Sequence, residues 1–326
     1  MTATAPRPTK QPGSENGRGR RWPVAAAVSA VAAVGLLARR LRNGGTTEAP
    51  PGPPPLKVPR RGTVRRPIWS AATARATIAA RHLRTDAWWV QPLITVVVLL
   101  LFVAYSTFRA FQNAYYFSEP YISPFYSPCI TTQCEGDTFP KLFTGPSWIS
   151  PAIYILIVPL GFRLTCYYYR KAYYRSFWLS PPACAVGEPH GKYSGETRFP
   201  LVFQNVHRYF FYLGLVFNVI LTYDAVVAFR DETGAWGHMG LGTLILLVNA
   251  ALLWLYSLSC HSCRHIFGGR LNHFSRHPVR YRLWTAVSKL NVRHMQLAWI
   301  SLVGVALTDL YIYLLAADVI TDVRFF

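Results

Sequence analysis

Five stretches of about 20 residues, each almost free of charge, constrain this chain more than any other feature. They run from Trp88 to about Phe108, from about Trp148 to Cys166, from Phe199 to Val227, from about Met239 to Cys260, and from about His294 to Ala316. A helix rises about 1.5 Å per residue, so about 20 apolar residues cross the roughly 30 Å hydrocarbon core of a bilayer. A water-soluble domain buries its apolar residues in short periodic stripes and rarely writes them as uninterrupted runs. Apolar residues make up 52% of the 326 positions, enough to fill five such spans. The predicted fold is therefore an all-α integral membrane protein, a bundle of about five transmembrane helices over residues 88–320. The third run is longer than a crossing needs, which allows tilt or a protruding end. No internal repeat relates the five runs.

Residues 1–87 have a different composition. They are rich in Pro, Gly, Arg and Ala, with PPGPPP at Pro50–Pro55. Such a sequence buries too little apolar area to offset its ordering entropy, so this tail is expected to be disordered. One apolar run, residues 23–38, interrupts it, with basic pairs on both sides. It is short for a crossing, wrongly flanked for a cleaved signal peptide, and reads as an interfacial or marginal helix.

Positive charge sets the orientation. Of the 34 Lys and Arg residues, 29 fall in residues 1–87, 163–200 and 264–293. The positive-inside rule puts these segments in the cytoplasm. The expected location is thus a bacterial plasma membrane, multi-pass, with the N-terminus cytoplasmic. The net charge of +20 invites a nucleic-acid reading. Its placement between apolar spans argues for topology and lipid contact instead, and no nucleic-acid partner is expected.

The six cysteines divide between the two faces. Cys129 and Cys134 share an outer loop on the oxidising side and are expected to form a structural disulfide. Cys166, Cys184, Cys260 and Cys263 lie at the cytoplasmic level, where disulfides seldom persist. His190, His207, His261, His265 and His294 gather at the same level, with His273 and His277 further out. Thiols and imidazoles at one depth suggest an iron–sulfur or other metal site. Zinc is the plainer alternative for the Cys-x-x-Cys of CHSCRH, and simple packing at helix ends the plainest.

On a continuous helix Cys260 and Cys263 share one face while His261 and His265 share another. All four reach one site only if the helix breaks, and Gly268-Gly269 is the nearest stop signal. A break near Cys263 gives Cys263-x-His265 the form of half a Rieske site, with two Cys on one iron and two His on the other. Cys184 and His190 are the expected other half, with Cys166, Cys260 and His207 as substitutes.

The same rim is rich in groups suited to a quinone headgroup: Gln204, His207, Arg208, Tyr167, Trp284 and Ser288. Tyr and Trp at this depth are often only belt anchors. Gln204, His207 and Arg208, however, lie within an apolar span, where polar groups need partners or a function. Asp224 and Asp309, near the outer ends of the third and fifth runs, either pair or serve a proton path.

The stretches FRLTCYYYRKAYYRSFWLSPPACAV, GETRFPLVFQNVHRYFFY and SLSCHSCRH followed by LNHFSRHP resemble the membrane-anchor subunit of an actinobacterial succinate dehydrogenase or fumarate reductase (complex II), in the branch with one five-helix anchor. The similarity spans roughly residues 85–320. It implies flavoprotein and iron–sulfur partner subunits on the cytoplasmic face and electron delivery to menaquinone. It also implies a Rieske-type [2Fe–2S] cluster where other anchors carry haem b. In such a complex this chain is a subunit without the flavin, and succinate oxidation belongs to the partner.

Two alternatives stay open at this point. One keeps the complex but holds haem b between histidines of different helices, such as His207 and His294. The other is a stand-alone membrane thiol–disulfide oxidoreductase, although its cysteine pairs would lie on opposite faces. A transporter would call for repeats and broken helices with a midplane site, and neither is evident.

Overall fold

A computed structural model describes residues 85–135, 139–146, 148–187, 189, 199, 201–231 and 233–326. The proposed tail structure, including residues 23–38, and His190 lie outside the described residues.

The first span is helix α1, Val90–Gln112. It ends where Asn113 adopts the left-handed conformation with φ 50°, an arrangement that stops helices and suits Asn. A small antiparallel hairpin follows, β1 Phe117–Ser118 and β2 Tyr121–Ile122. The second run and the ten residues after it form two helices. α2, Pro151–Leu164, starts with Pro at its first position, where the missing N–H costs nothing. The chain then bends by 77° into α3, Tyr167–Ser176.

A 3₁₀ turn, Leu201–Val206, leads into α4, His207–Val227. α5 spans Leu241–Leu258 and is followed, after a break, by the short α6, His261–Gly268. α7 covers Pro278–Asn291 and α8 covers His294–Ala316. Among the described residues four helices are long and apolar enough to cross a membrane, and the bent α2–α3 pair makes up to five. This is a multi-pass, mostly helical membrane fold.

α5 packs between α4 and α8, α2 lies on α4, and α1 touches α2, α3 and α8. The outward faces carry large apolar side chains: Leu101 is 65% exposed, Phe111 70% and Leu160 61%. In water such faces would cost about 25 cal/mol per Å² of apolar surface, whereas lipid removes that cost.

Several spans depart from their expected bounds where the sequence pattern gave little warning. α1 runs four residues past its expected end at Phe108. The fourth run breaks at Ser259–Cys260, ahead of the expected site near Cys263, and Gly269 terminates α6. Residues 167–176, expected within a cytoplasmic loop, are helical.

The hairpin end of the bundle is closed by polar contacts. Arg109 and Asp309, both fully buried, form an ion pair at 2.8 Å. Cys129 and Cys134 are joined in a disulfide in the loop that covers them. Tyr121 and Tyr311 donate to the Asp322 carboxylate at 2.5 and 2.6 Å, which ties the C-terminal segment to the hairpin and to α8.

Candidate functional site

The opposite end of the bundle holds the chemistry. Two pentapeptides occur there with the same pattern of aromatic, any residue, Leu, hydroxyl and Cys: Phe162-Arg163-Leu164-Thr165-Cys166 and Tyr256-Ser257-Leu258-Ser259-Cys260. Each ends a membrane helix. Thr165 and Ser259 are the C-terminal caps of α2 and α5. Cys166 and Cys260 then turn extended, with ψ of 130° and 147°, and cap the N-termini of α3 and α6. Their carbonyls accept the first helical bonds, from the N–H groups of Arg170 at 2.9 Å and Arg264 at 3.1 Å. Both thiols therefore sit at the positive end of a helix dipole.

Two histidines at helix starts complete a crossed array. His207 opens α4 and His294 opens α8. Nδ1 of His207 lies 2.9 Å from Thr165 Oγ1 and its Nε2 lies 3.1 Å from Cys260 Sγ. Nδ1 of His294 lies 2.7 Å from Ser259 Oγ and its Nε2 lies 3.4 Å from Cys166 Sγ. Each imidazole thus binds the hydroxyl of one pentapeptide and the thiol of the other.

The hydroxyl protons fix the tautomers. Thr165 Oγ1 donates to the Gly161 carbonyl at 2.6 Å, and Ser259 Oγ donates to the Tyr256 carbonyl at 2.8 Å. Each oxygen can then only accept from its histidine, so both Nδ1 atoms carry the proton. Both Nε2 lone pairs are left facing sulfur. The rings are held by parallel stacking, His207 on Phe162 at 5.3 Å and His294 on Tyr256 at 5.2 Å, each with a 7° interplanar angle.

Water has little access. Cys166, Cys260 and Cys263 are 1–3% exposed and belong to one core cluster with Phe162, Tyr169 and Tyr256. Burial pushes the Cys263 thiol up, and a bound cation would displace the protons of the thiols that hold it. Among the described residues no three His, Cys, Asp or Glu side chains converge on a point suited to a single ion. Two thiols and two imidazoles from four helix ends do match the donor set of a binuclear centre, whose ligands divide between two irons.

The expected ligands fare differently. Cys184 is exposed, whereas Cys263 is buried. His265 is exposed, and its Nδ1 accepts from Arg208 Nη2 at 2.5 Å. Cys166, Cys260 and His207, the substitutes, meet in the array. His294, expected in the cytoplasmic-level cluster and as a haem ligand but not in the ligand set of four, joins them.

The expected quinone residues split into three groups. The Gln204 amide donates to the Leu164 carbonyl at 3.2 Å and to Tyr173 Oη at 2.8 Å. Tyr167 is 60% exposed, with the Arg170 guanidinium over its ring at 4.6 Å. His207 belongs to the array. Arg208 and Trp284 line a cavity of about 420 Å³ with His261, Arg264, His265 and Gly269. Ser288 accepts from Arg264 Nε at 3.0 Å at its edge. His261 follows Cys260 directly, so the cavity adjoins the array.

A family model described as "Actinobacterial succinate dehydrogenase subunit SdhC" matches residues 90–318. The chain belongs to this family. As such a subunit it is part of an oxidoreductase complex and works beside the other succinate dehydrogenase subunits. A chain of the Mycobacterium smegmatis Sdh1 complex in the apo form is 53% identical, with TM-score 0.72, covering 78% of this chain and 98% of that one. Among curated proteins none matches. The family match covers both pentapeptides and both array histidines.

Proposed function

We propose that this SdhC-family chain passes electrons from the iron–sulfur subunit of succinate dehydrogenase to menaquinone, through a Rieske-type [2Fe–2S] cluster held by Cys166, Cys260, His207 and His294. The crossed Cys–His array carries the reading. It supplies the donor set of such a cluster from three buried side chains, Cys166, Cys260 and His294, and the half-buried His207, with both imidazoles oriented by hydroxyls at Nδ1 so that Nε2 faces sulfur. Bound there, the cluster would supply one-electron transfer between the soluble subunits and a quinone.

The chain's own residues do the rest. Thr165 and Ser259 orient the imidazoles, and Phe162 and Tyr256 clamp their faces. The cavity beside His261 is the site assigned to a naphthoquinone headgroup, with the Arg208 and Arg264 guanidiniums to donate to its carbonyls and Trp284 as an apolar wall. The basic segments 167–187 and 264–293 surround this end, and they are proposed to face the cytoplasm and dock the flavoprotein and iron–sulfur subunits. The tail 1–87 is assigned to the same side.

Iron, acid-labile sulfide and haem content of the purified complex, with its EPR spectrum, test the reading. A rhombic [2Fe–2S] signal that needs this chain supports it. A Soret band without that signal supports haem between His207 and His294 and overturns it. The orienting hydroxyls give a second check. Thr165→Val and Ser259→Ala should each weaken metal retention about 10–100-fold, as supporting contacts to metal-bound histidines generally do. Metal loss measured against a chelator reads this out.

A further inference from the structure

The two pentapeptides differ at one chemically large point. The second position is Ser257 in one arm, where it accepts from Asn218 Nδ2 at 2.9 Å. In the other arm it is Arg163, a permanent cation within a membrane span. Its guanidinium donates to Tyr169 Oη at 2.8 Å, the Ala298 carbonyl at 3.4 Å and Ser301 Oγ at 3.2 Å. It also lies over the Tyr256 ring at 4.7 Å, the ring on which His294 stacks. Every partner is neutral. Among the described residues the membrane-embedded Arg109 has a carboxylate partner, and Arg163 has none.

A guanidinium in a span is costly and calls for an anion. The array lies beside it: Arg163 stands three residues before Cys166 and over the Tyr256 ring on which His294 stacks. A [2Fe–2S] cluster with two thiolates and two neutral imidazoles is neutral when oxidised. It gains one negative charge when it accepts an electron. A fixed cation in a weakly screened interior favours that reduced form.

We propose that Arg163 is the countercharge that raises the reduction potential of the centre held by Cys166, Cys260, His207 and His294. This rests on the cluster reading above. Arg163 touches neither the iron ligands' donor atoms nor the quinone cavity, so it is a positioning and charge-setting residue. The electron comes from the iron–sulfur subunit and leaves to quinone.

The test is an EPR-monitored redox titration of the assembled complex. In Arg163→Gln the ratio of reduced to oxidised centre at a fixed ambient potential should fall about tenfold, which for a one-electron couple is a downward shift of about 59 mV. Arg163→Lys keeps the charge and should stay near the parent value. Ser301→Asp leaves Arg163 in place and sets a carboxylate against it, so it should reproduce the downward shift, even if Arg163→Gln fails to assemble. An unchanged midpoint in Ser301→Asp or Arg163→Gln overturns the proposal, as does an equal shift in Arg163→Lys, which would implicate packing. A changed quinone KM at constant midpoint also overturns it. If the parent complex gives no such signal, the cluster reading fails instead.

Discussion

Cys166→Ser and Cys260→Ser should each abolish the rhombic EPR signal and cut quinone reduction by about 10²-fold or more, beyond the loss expected when only a supporting contact is removed. Succinate oxidation measured with a soluble dye should persist, because the flavin belongs to another subunit. Cys184→Ser and Cys263→Ala should keep both the signal and quinone reduction. The contrast follows from placement. Cys166 and Cys260 face imidazole nitrogens across the crossed array. Cys184 is exposed and Cys263 packs in the core cluster. The reverse pattern, with Cys184 and Cys263 essential and Cys166 dispensable, would restore the ligand set read from local spacing and remove the array from function.

Local spacing and the folded array point to different ligand sets for a definable reason. Cys263-x-His265 and Cys184 with His190 are close in sequence, and short motifs favour ligands from one loop. The array instead draws each donor from a different helix end, with up to 128 residues between bonded partners. Neither break that creates it has a Gly or Pro at the bend. At Thr165–Cys166 the hydroxyl takes the Gly161 carbonyl and receives His207, so the helix ends through tertiary contacts. The same holds at Ser259–Cys260 with His294. The readable signal was the recurrence of FRLTC and YSLSC, two short strings too far apart to register as a repeat.

The spans were legible because the bilayer demands long uncharged runs, and α8 coincides with its expected bounds. The depth at which thiols and imidazoles gather was legible too. The partner of each polar group was not. Asp224 and Asp309 look alike in the sequence, yet Asp309 is paired with Arg109 from another helix, while the Asp224 carboxylate accepts from Ser127.

Removing either member of that ion pair should have the largest effect on stability. Arg109 Nε and Nη2 donate to the two Asp309 oxygens at 2.8 and 3.2 Å, a forked contact with both side chains fully buried. Tyr105 and Ser123 also donate to Asp309. The remaining guanidinium hydrogens go to Gln112 and to the carbonyls of Ala114 and Tyr115. One pair thereby joins α1, α8 and the chain leading into the hairpin. Asp309→Ala leaves a buried cation without its anion, and Arg109→Ala leaves a buried anion without its cation. Each should cost about 3–5 kcal/mol, read as a lower unfolding midpoint of the detergent-solubilised complex. The double variant Arg109→Met with Asp309→Leu should recover much of the loss, since it removes both charges. Recovery should stay partial, because the carbonyls of Ala114 and Tyr115 lose their donor. Metal content should not change in any of these variants: fifteen residues of α8 separate Asp309 from His294, about 22 Å at 1.5 Å per residue. A loss below about 1 kcal/mol in both single variants would mean that the pair is solvated in the membrane and does not lock this end of the bundle.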